Sequence, residues 1–210
     1  MIKNVTKSII FLLAAIALTG CGGVPQTFYY RIDYDLSENN SPNAPVKVTL
    51  GINKFSADIL YEGDRIVYRN SPYEVQYYHY RRWIAPPRKI VEEKILAHFE
   101  SSGAFQRVIK LPCNCDPDYI LNGKIKAFEE WDENSAWFGI VTLAFELSDP
   151  DSKTVVWKKE FSEKTRSAQK EPVAVVAAIS KSLKKVSGQA ISDVAQYLET
   201  IAGKATSSRQ

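Results

Sequence analysis

The feature that most constrains this chain is its amino-terminal segment, because that segment decides which residues remain to fold. Lys3 and Lys7 are basic, no acidic residue occurs among the first eight, and residues 9–18 form an uninterrupted apolar run of ten. Ten residues of helix reach about 15 Å, half the roughly 30 Å hydrocarbon core of a bilayer. A basic start followed by a short apolar run is typical of an export signal. We therefore expect residues 1–20 to be removed, so that the rest of the chain folds outside the cytoplasm.

The residues after the apolar run indicate how the signal is processed. Leu18-Thr19-Gly20-Cys21 resembles the bacterial lipobox, which implies cleavage between Gly20 and Cys21 and attachment of a diacylglycerol group to the cysteine thiol. Because each buried methylene contributes about 0.8 kcal/mol, several acyl chains such as palmitate would anchor the protein stably. Gly22 stands where an Asp would retain a lipoprotein at the inner membrane, so the resemblance implies the outer membrane, facing the periplasm. The alternative is an ordinary signal peptide that ends near a cysteine.

Composition indicates one folded domain behind this anchor. The chain has 210 residues, 45% hydrophobic and 24% charged, which is enough apolar material for a core and unlike a disordered chain. We expect a lipidated tether over residues 21–27, a single domain over residues 28–203 and a flexible tail over residues 204–210. Removal of Lys3 and Lys7 leaves 25 basic against 24 acidic residues, a net charge of +1, which gives no electrostatic basis for binding nucleic acid.

Hydrophobic periodicity predicts the secondary structure of the domain. Residues 46–55 and 137–147 alternate apolar and polar side chains as half-buried strands do, and residues 64–70 and 73–80 resemble a hairpin. Two helices are expected, one from Pro86-Pro87 to Gly103 and one beginning near Pro172. These patterns predict an α+β fold, a two-layer sandwich with a mostly antiparallel sheet of about six to seven strands and two helices packed on one face.

Motifs of enzymes and cofactor sites are missing from the sequence. It contains no nucleophile elbow, phosphate-binding loop, dinucleotide fingerprint or zinc-protease motif. We interpret His79 and His98 as structural or surface residues, and the acidic residues within 129–133 as a solvated turn between two strands. The sequence therefore predicts a protein that is not an enzyme and binds no metal or cofactor.

Cys113 and Cys115 are the one chemically distinctive pair. Exported thiols meet an oxidising compartment, which favours a disulfide between them. Unpaired or intermolecular thiols are the second interpretation, and a metal or redox site is the third. Two thiolates do not complete a tetrahedral metal site, so the disulfide is the interpretation we favour.

Aromatic residues are dense between residues 68 and 83, where six occur in sixteen positions. They could form the core of the sheet with cross-strand aromatic pairs. Alternatively they form a partner surface, because Tyr, Trp and Arg are enriched at binding hot spots. The candidate partner surface comprises Tyr77, Tyr78, Arg81, Arg82 and Trp83.

Several segments in order resemble the ABC-type transport auxiliary lipoproteins, a family that includes the PqiC-like lipoproteins of MCE transport systems. The similarity extends over essentially the whole mature chain, whereas the Cys113/Cys115 pair is not part of the family pattern. The segments that carry the resemblance are the lipobox, residues 28–32, residues 64–69, Trp83 with Pro86, residues 118–125, residues 128–130, Val156-Trp157 and residues 177–180.

The resemblance implies a non-enzymatic outer-membrane component of an MCE-type lipid transport system. Its partners would be an MCE-domain periplasmic protein with its ABC ATPase and permease, and the chain would dock the periplasmic assembly to the outer membrane. Self-association into a homo-oligomer is compatible with this role. The alternative is a lipoprotein regulator of a peptidoglycan synthase, because fold alone does not fix function.

Overall fold

The computed structural model describes residues 25–36 and 45–207, with side chains through residue 204. Gly20 and Cys21, the predicted processing site, lie outside the described residues, as do much of the predicted tether and the end of the predicted tail. The described residues contain two α-helices, α1 (Pro87–Ser101) and α2 (Pro172–Ser207), and a 3-10 turn at Ile59–Tyr61. The strands are β1 (Phe28–Tyr30), β2 (Val46–Ile52), β3 (Ser56–Ala57), β4 (Arg65–Arg69), β5 (Gln76–Trp83), β6 (Phe105–Lys110), β7 (Tyr119–Glu133), β8 (Ala136–Asp149) and β9 (Thr154–Arg166).

Strand β7 organises the sheet. β8 pairs antiparallel with nearly the whole of β7, and β9 pairs antiparallel with β8. Along its other edge β7 pairs successively with β2, β3 and β4, all in parallel orientation. β6 extends the sheet beyond β2, while β5 and then β1 extend it beyond β4. The 15 residues of β7 therefore connect three branches of one sheet.

The α+β fold class is confirmed, but over the described residues the sheet has nine strands and is mixed rather than mostly antiparallel. The three antiparallel pairings are the local hairpins β4–β5, β7–β8 and β8–β9. The five parallel pairings join strands that are distant in sequence or separated by other elements. Parallel pairs need long crossover connections. The alternation of apolar and polar side chains within one strand does not indicate which distant strand it pairs with. Short strands such as β3, with two residues, account for the larger number of strands.

Helix α1 forms where the sequence predicts it. Pro87 occupies the first turn, where its missing N–H is not needed. Ile95 and Phe99 recur at helical spacing and are buried, and Phe99 stacks on Phe105 of β6 with ring centroids 5.8 Å apart. Gly103 follows the helix with a φ of 62°, a left-handed conformation that glycine adopts without strain.

Helix α2 packs mainly on strands β8 and β9. Val141, Leu143 and Phe145 alternate along β8 and are buried on the side that faces the helix. A Cβ atom added at Gly139 would lie 2.4 Å from the backbone nitrogen of Ile179, so this glycine allows a close approach of helix and strand. The two helices contact each other and contribute to one continuous hydrophobic core, consistent with the predicted packing on one face.

Helix α2 extends farther than the predicted domain boundary. It continues through Ser207, four residues beyond Gly203. Ala202 and Ala205 have high helix propensity, which offsets the cost of Gly203 within the helix. Among the described residues, no helix contains a stretch that is both long and apolar enough to cross a membrane.

Candidate functional site

Two adjacent acidic residues of β7 are the most unusual polar groups in the described structure. Glu129 and Glu130 are 0% and 1% exposed, respectively. The prediction that the acids within 129–133 form a solvated turn is therefore wrong for these two, because β7 continues through Glu133. Buried carboxylates are rare unless they are paired or hydrogen-bonded. Their partners define the candidate site.

Glu129 is held by two side chains from neighbouring elements. The hydroxyl of Tyr61, in the 3-10 turn, donates a hydrogen bond of 2.6 Å to Glu129 Oε2. Arg69, at the end of β4, donates from Nε to Glu129 Oε1 at 3.0 Å and contacts the same oxygen through Nη2. The Arg69 guanidinium also lies 5.2 Å from the ring centroid of Trp131. A partly buried, hydrogen-bonded ion pair, in which the Arg69 side chain is 22% exposed, thus joins β4 to β7.

Glu130 has a different environment. The Tyr78 hydroxyl lies 3.1 and 3.0 Å from its two carboxylate oxygens, and the Arg81 guanidinium lies 5.0 Å from the Tyr78 ring centroid. Burial raises the pKa of Glu130 to about 7, with a smaller increase from the Asp132 charge, against the opposing effects of Tyr78 and Arg81. Burial and the neighbouring Glu130 also raise the pKa of Tyr78, so this phenol remains a hydrogen-bond donor. Near neutral pH, Glu130 exchanges between the protonated and ionised forms.

A groove of about 460 Å³ lies beside the β4–β5 hairpin. Asp64 accepts hydrogen bonds of 3.0 and 3.1 Å from Arg82 Nη1, and the Arg65 guanidinium lies 5.8 Å from the ring centroid of Tyr77. Ile59 is strongly exposed at the rim. The groove combines two apolar side chains, one aromatic ring, two arginines and one aspartate, which is a composition expected of a protein-binding surface.

The structure does not bring the five residues of the candidate partner surface together. Tyr77 and Arg82 line the groove, whereas Tyr78 and Arg81 lie beside Glu130. Trp83 is buried against Phe128, with ring centroids 5.0 Å apart, so a partner has no access to it. For Trp83 the core interpretation is therefore correct, because its ring is part of the hydrophobic core.

Sequence reasoning missed Glu129, Glu130 and Arg69 as members of a site. The available signal was a pair of tryptophans, Trp131 among the acidic residues and Trp137 after them, since aromatic residues favour a continuing hairpin over a solvated turn. A register shift between Ile125 and Ala127 concealed this signal, because it interrupts the alternation within β7.

The two remaining features singled out by the sequence lie apart from this site. The structure joins Cys113 to Cys115 with Cα atoms 5.4 Å apart, and the oxidised state of the pair in the protein stays a prediction. His98 is buried on α1 beside Tyr34, and burial with the Lys184 charge lowers the pKa of His98 to about 4. Within residues 25–36 and 45–207, no group of three or more His, Cys, Asp or Glu residues could hold a metal ion.

Solved structures share this fold. A protein from Xanthomonas campestris aligns with a TM-score of 0.74 and 24% identity, covering 86% of this chain and 99% of that one. An uncharacterized protein aligns with a TM-score of 0.64 and 12% identity, covering 81% and 99%. A hypothetical protein from Chlamydia trachomatis aligns with a TM-score of 0.50 and 7% identity, covering 72% and 98%. A search of the curated proteins finds no match.

The sequence itself identifies the family. Residues 30–190 match the family described as the ABC-type transport auxiliary lipoprotein component. The matched region extends from the end of β1 into α2, so it includes the buried acidic pair, the groove and nearly all of the sheet. The chain therefore belongs to the ABC-type transport auxiliary lipoprotein family.

Proposed function

We propose that this protein is an outer-membrane-anchored periplasmic lipoprotein and the non-enzymatic auxiliary component of an MCE/ABC-type lipid transport system. In this role it docks the periplasmic MCE assembly to the outer membrane. The observation that carries the proposal is the family match over residues 30–190, which identifies a transport auxiliary lipoprotein. The resemblance of the first 21 residues to a lipoprotein signal supports the anchor.

The groove beside the β4–β5 hairpin is the surface that we assign to the MCE-domain partner. Its arginines and Tyr77 offer hydrogen bonds and a flat aromatic surface, and Ile59 offers an apolar anchor. Arg69 and Glu129 hold β4 against β7, so the hairpin that forms one wall of the groove is fixed before binding. A fixed wall reduces the ordering cost of association.

The anchor contributes to docking without forming any contact with the partner. A lipidated protein is confined to two dimensions, which raises its effective concentration near any assembly that spans the periplasm. A surface of modest affinity is then sufficient. The ATPase and permease at the inner membrane would supply the nucleotide chemistry, consistent with the missing phosphate-binding loop in this chain.

Crosslinking of tagged full-length protein in the intact cell envelope, followed by purification, tests the proposal. We expect an MCE-domain protein to be recovered with the wild type and to be largely lost with Ile59→Asp and Arg65→Glu combined, because both side chains are exposed at the groove. Val155→Asp is the matched control, since Val155 is an exposed apolar residue on β9. Recovery of a peptidoglycan synthase without an MCE-domain protein would contradict the proposal and support the alternative.

A further inference from the structure

Four large apolar side chains are exposed around β1 and the end of β5. Phe28, Tyr29, Tyr80 and Ile84 are 50%, 65%, 47% and 67% exposed, respectively. We call these four residues the edge patch. Contiguous exposed apolar surface on a protein commonly marks a site of contact with a protein or a membrane.

Strand register brings the edge patch together. β1 pairs in parallel with the end of β5, with Phe28 opposite Arg81 and Tyr29 opposite Arg82. Tyr80 immediately precedes this paired segment, and Ile84 immediately follows it, with its N–H donating 2.8 Å to the carbonyl of Tyr30. Two pairs of residues that are more than 50 positions apart in sequence therefore meet at one short edge of the sheet, where the adjacent Phe28 and Tyr29 extend to opposite faces.

The edge patch has a rigid support and an open side. Trp83, which pairs with Tyr30, is buried in the core, so the end of β5 is fixed. Among the described strands, β1 pairs with β5 alone, so its second edge has no strand beside it. The apolar side chains are therefore presented by a fixed edge.

Two arginines beside the edge patch are paired with carboxylates. Arg31 lies 3.5 Å from Asp33, and Arg82 lies 3.0 Å from Asp64. Aromatic side chains with a polar tip, such as Tyr29 and Tyr80, favour the boundary between lipid headgroups and acyl chains. A contact made by this patch would depend on apolar insertion more than on attraction to anionic lipid.

The position of the edge patch in the chain indicates its occupant. Phe28 is only seven residues after Cys21, and seven extended residues span at most about 25 Å. We propose that the edge patch is the surface with which the domain contacts the headgroup region of the bilayer that holds its own anchor. This inference rests on the proposed lipid anchor. Because the anchor keeps the patch near the bilayer, weak insertion of a few side chains is enough to orient the domain.

Spin labels on the acylated full-length protein in phosphatidylcholine vesicles test this orientation. We would introduce Tyr29→Cys or Ile84→Cys singly and attach a nitroxide, with wild-type protein as the control for labelling at native cysteines. For each label we would measure its accessibility to oxygen, which enters the bilayer, and to a nickel complex, which stays in water. We expect the ratio of the first accessibility to the second to be several-fold higher at these sites than at Val155→Cys. Val155 is a suitable control because it is exposed on β9, at the other end of the sheet.

A second set of variants separates apolar insertion from mere proximity. With the label at Ile84→Cys, replacing Phe28 and Tyr29 by Ser should lower the ratio toward that of the control site, whereas Val155→Ser should leave it unchanged. Both replaced side chains are exposed, so folding is retained.

The outcomes distinguish the contact from the anchor. Vesicle flotation first establishes that the protein is membrane-bound. Protein that floats but shows equal ratios at all three labelled sites would overturn the contact and leave the anchor intact, whereas protein that fails to float would overturn the anchor. Dipolar broadening that depends on the fraction of labelled protein would identify a second copy as the occupant of the edge patch, which also contradicts the proposal.

Discussion

Glu129 and Glu130 are neighbours on β7 that extend to opposite sides of the sheet, and both are buried. Tyr61 donates a hydrogen bond to the first, and Tyr78 is hydrogen-bonded to the second. Arg69 supplies a full positive charge to Glu129, whereas Glu130 is paired with a neutral phenol and has a raised pKa. The two carboxyl groups therefore affect stability differently, although they are adjacent in sequence.

Glu130→Gln should change how stability depends on pH. The folded-state pKa of Glu130 is about 7 and its ordinary value is 4.5, so between these values the folded protein retains a proton that the unfolded chain has released. The free energy of unfolding therefore falls as pH rises through this window. At pH 8 we expect Glu130→Gln to be more stable than the wild type by about 1–3 kcal/mol, with little difference at pH 4. Denaturant unfolding at both pH values measures this.

His98 provides the internal comparison for that experiment. Its folded-state pKa is lowered to about 4, so between about 4 and 6.5 the unfolded chain binds the extra proton. Its contribution to the free energy of unfolding therefore rises with pH, opposite to that of Glu130. In Glu130→Gln the free energy of unfolding should therefore rise with pH, because the opposing effect of Glu130 is removed. If the stability of Glu130→Gln still falls from pH 5 to pH 7, Glu130 is not the titrating group.

Arg69→Met should destabilise the fold because it leaves Glu129 buried without its cation. Removing one partner of a buried ion pair costs about 3–5 kcal/mol, and we expect a loss at the lower end of this range because the Arg69 side chain is 22% exposed. The double variant Arg69→Met with Glu129→Gln should recover most of that loss, since no charge remains buried. Urea unfolding of the single and double variants measures the difference, and equal stability of the two would contradict a role for the buried charge.

Gly139→Ala tests the contact between helix α2 and the sheet. The added Cβ would lie 2.4 Å from Ile179 N and 2.7 Å from the carbonyl carbon of Ala178, so we expect a loss of about 1–3 kcal/mol from overpacking. Gly188→Ala is the matched control, because the residue is inside α2 and a Cβ placed there would meet no atom within 4 Å apart from its chain neighbours and the backbone of its own helix. That change should instead stabilise the protein by about 0.5–1 kcal/mol. Thermal unfolding of both variants gives the comparison, and similar effects of the two would refute the close approach.

The sequence predicted the elements whose pattern is local. Helices α1 and α2 begin at Pro87 and Pro172 as expected, and the β4–β5 hairpin lies where the turn residues indicated. The buried side of β8 was also predicted, because Val141 and its alternating neighbours follow a period of two.

Features that depend on distant pairing were not predictable in the same way. The parallel pairing of β4 with β7 brings Arg69 beside Glu129, and nothing in either segment specifies that neighbour. Trp83 is buried because its ring packs against Phe128 of β7, a residue that is distant in the sequence. Burial of single side chains in this part of the sheet is therefore a property of the assembled fold.

Thiol titration tests the prediction for Cys113 and Cys115. Acylated protein unfolded without reductant should show no free thiols, because Cys21 carries its lipid and the other two cysteines are joined. Reduction should release two thiols per chain. Two free thiols before reduction, in protein isolated from the envelope under alkylating conditions, would contradict the disulfide.

The central claim is that this protein is held at the membrane surface by a lipid anchor. Mass spectrometry of the mature amino terminus tests this claim most directly. The account predicts a chain that begins at Cys21 and carries a diacylglycerol group with a further acyl chain on the amine. A chain that retains residues 1–20, or one that begins elsewhere without lipid, would contradict the anchor and with it the proposed docking role.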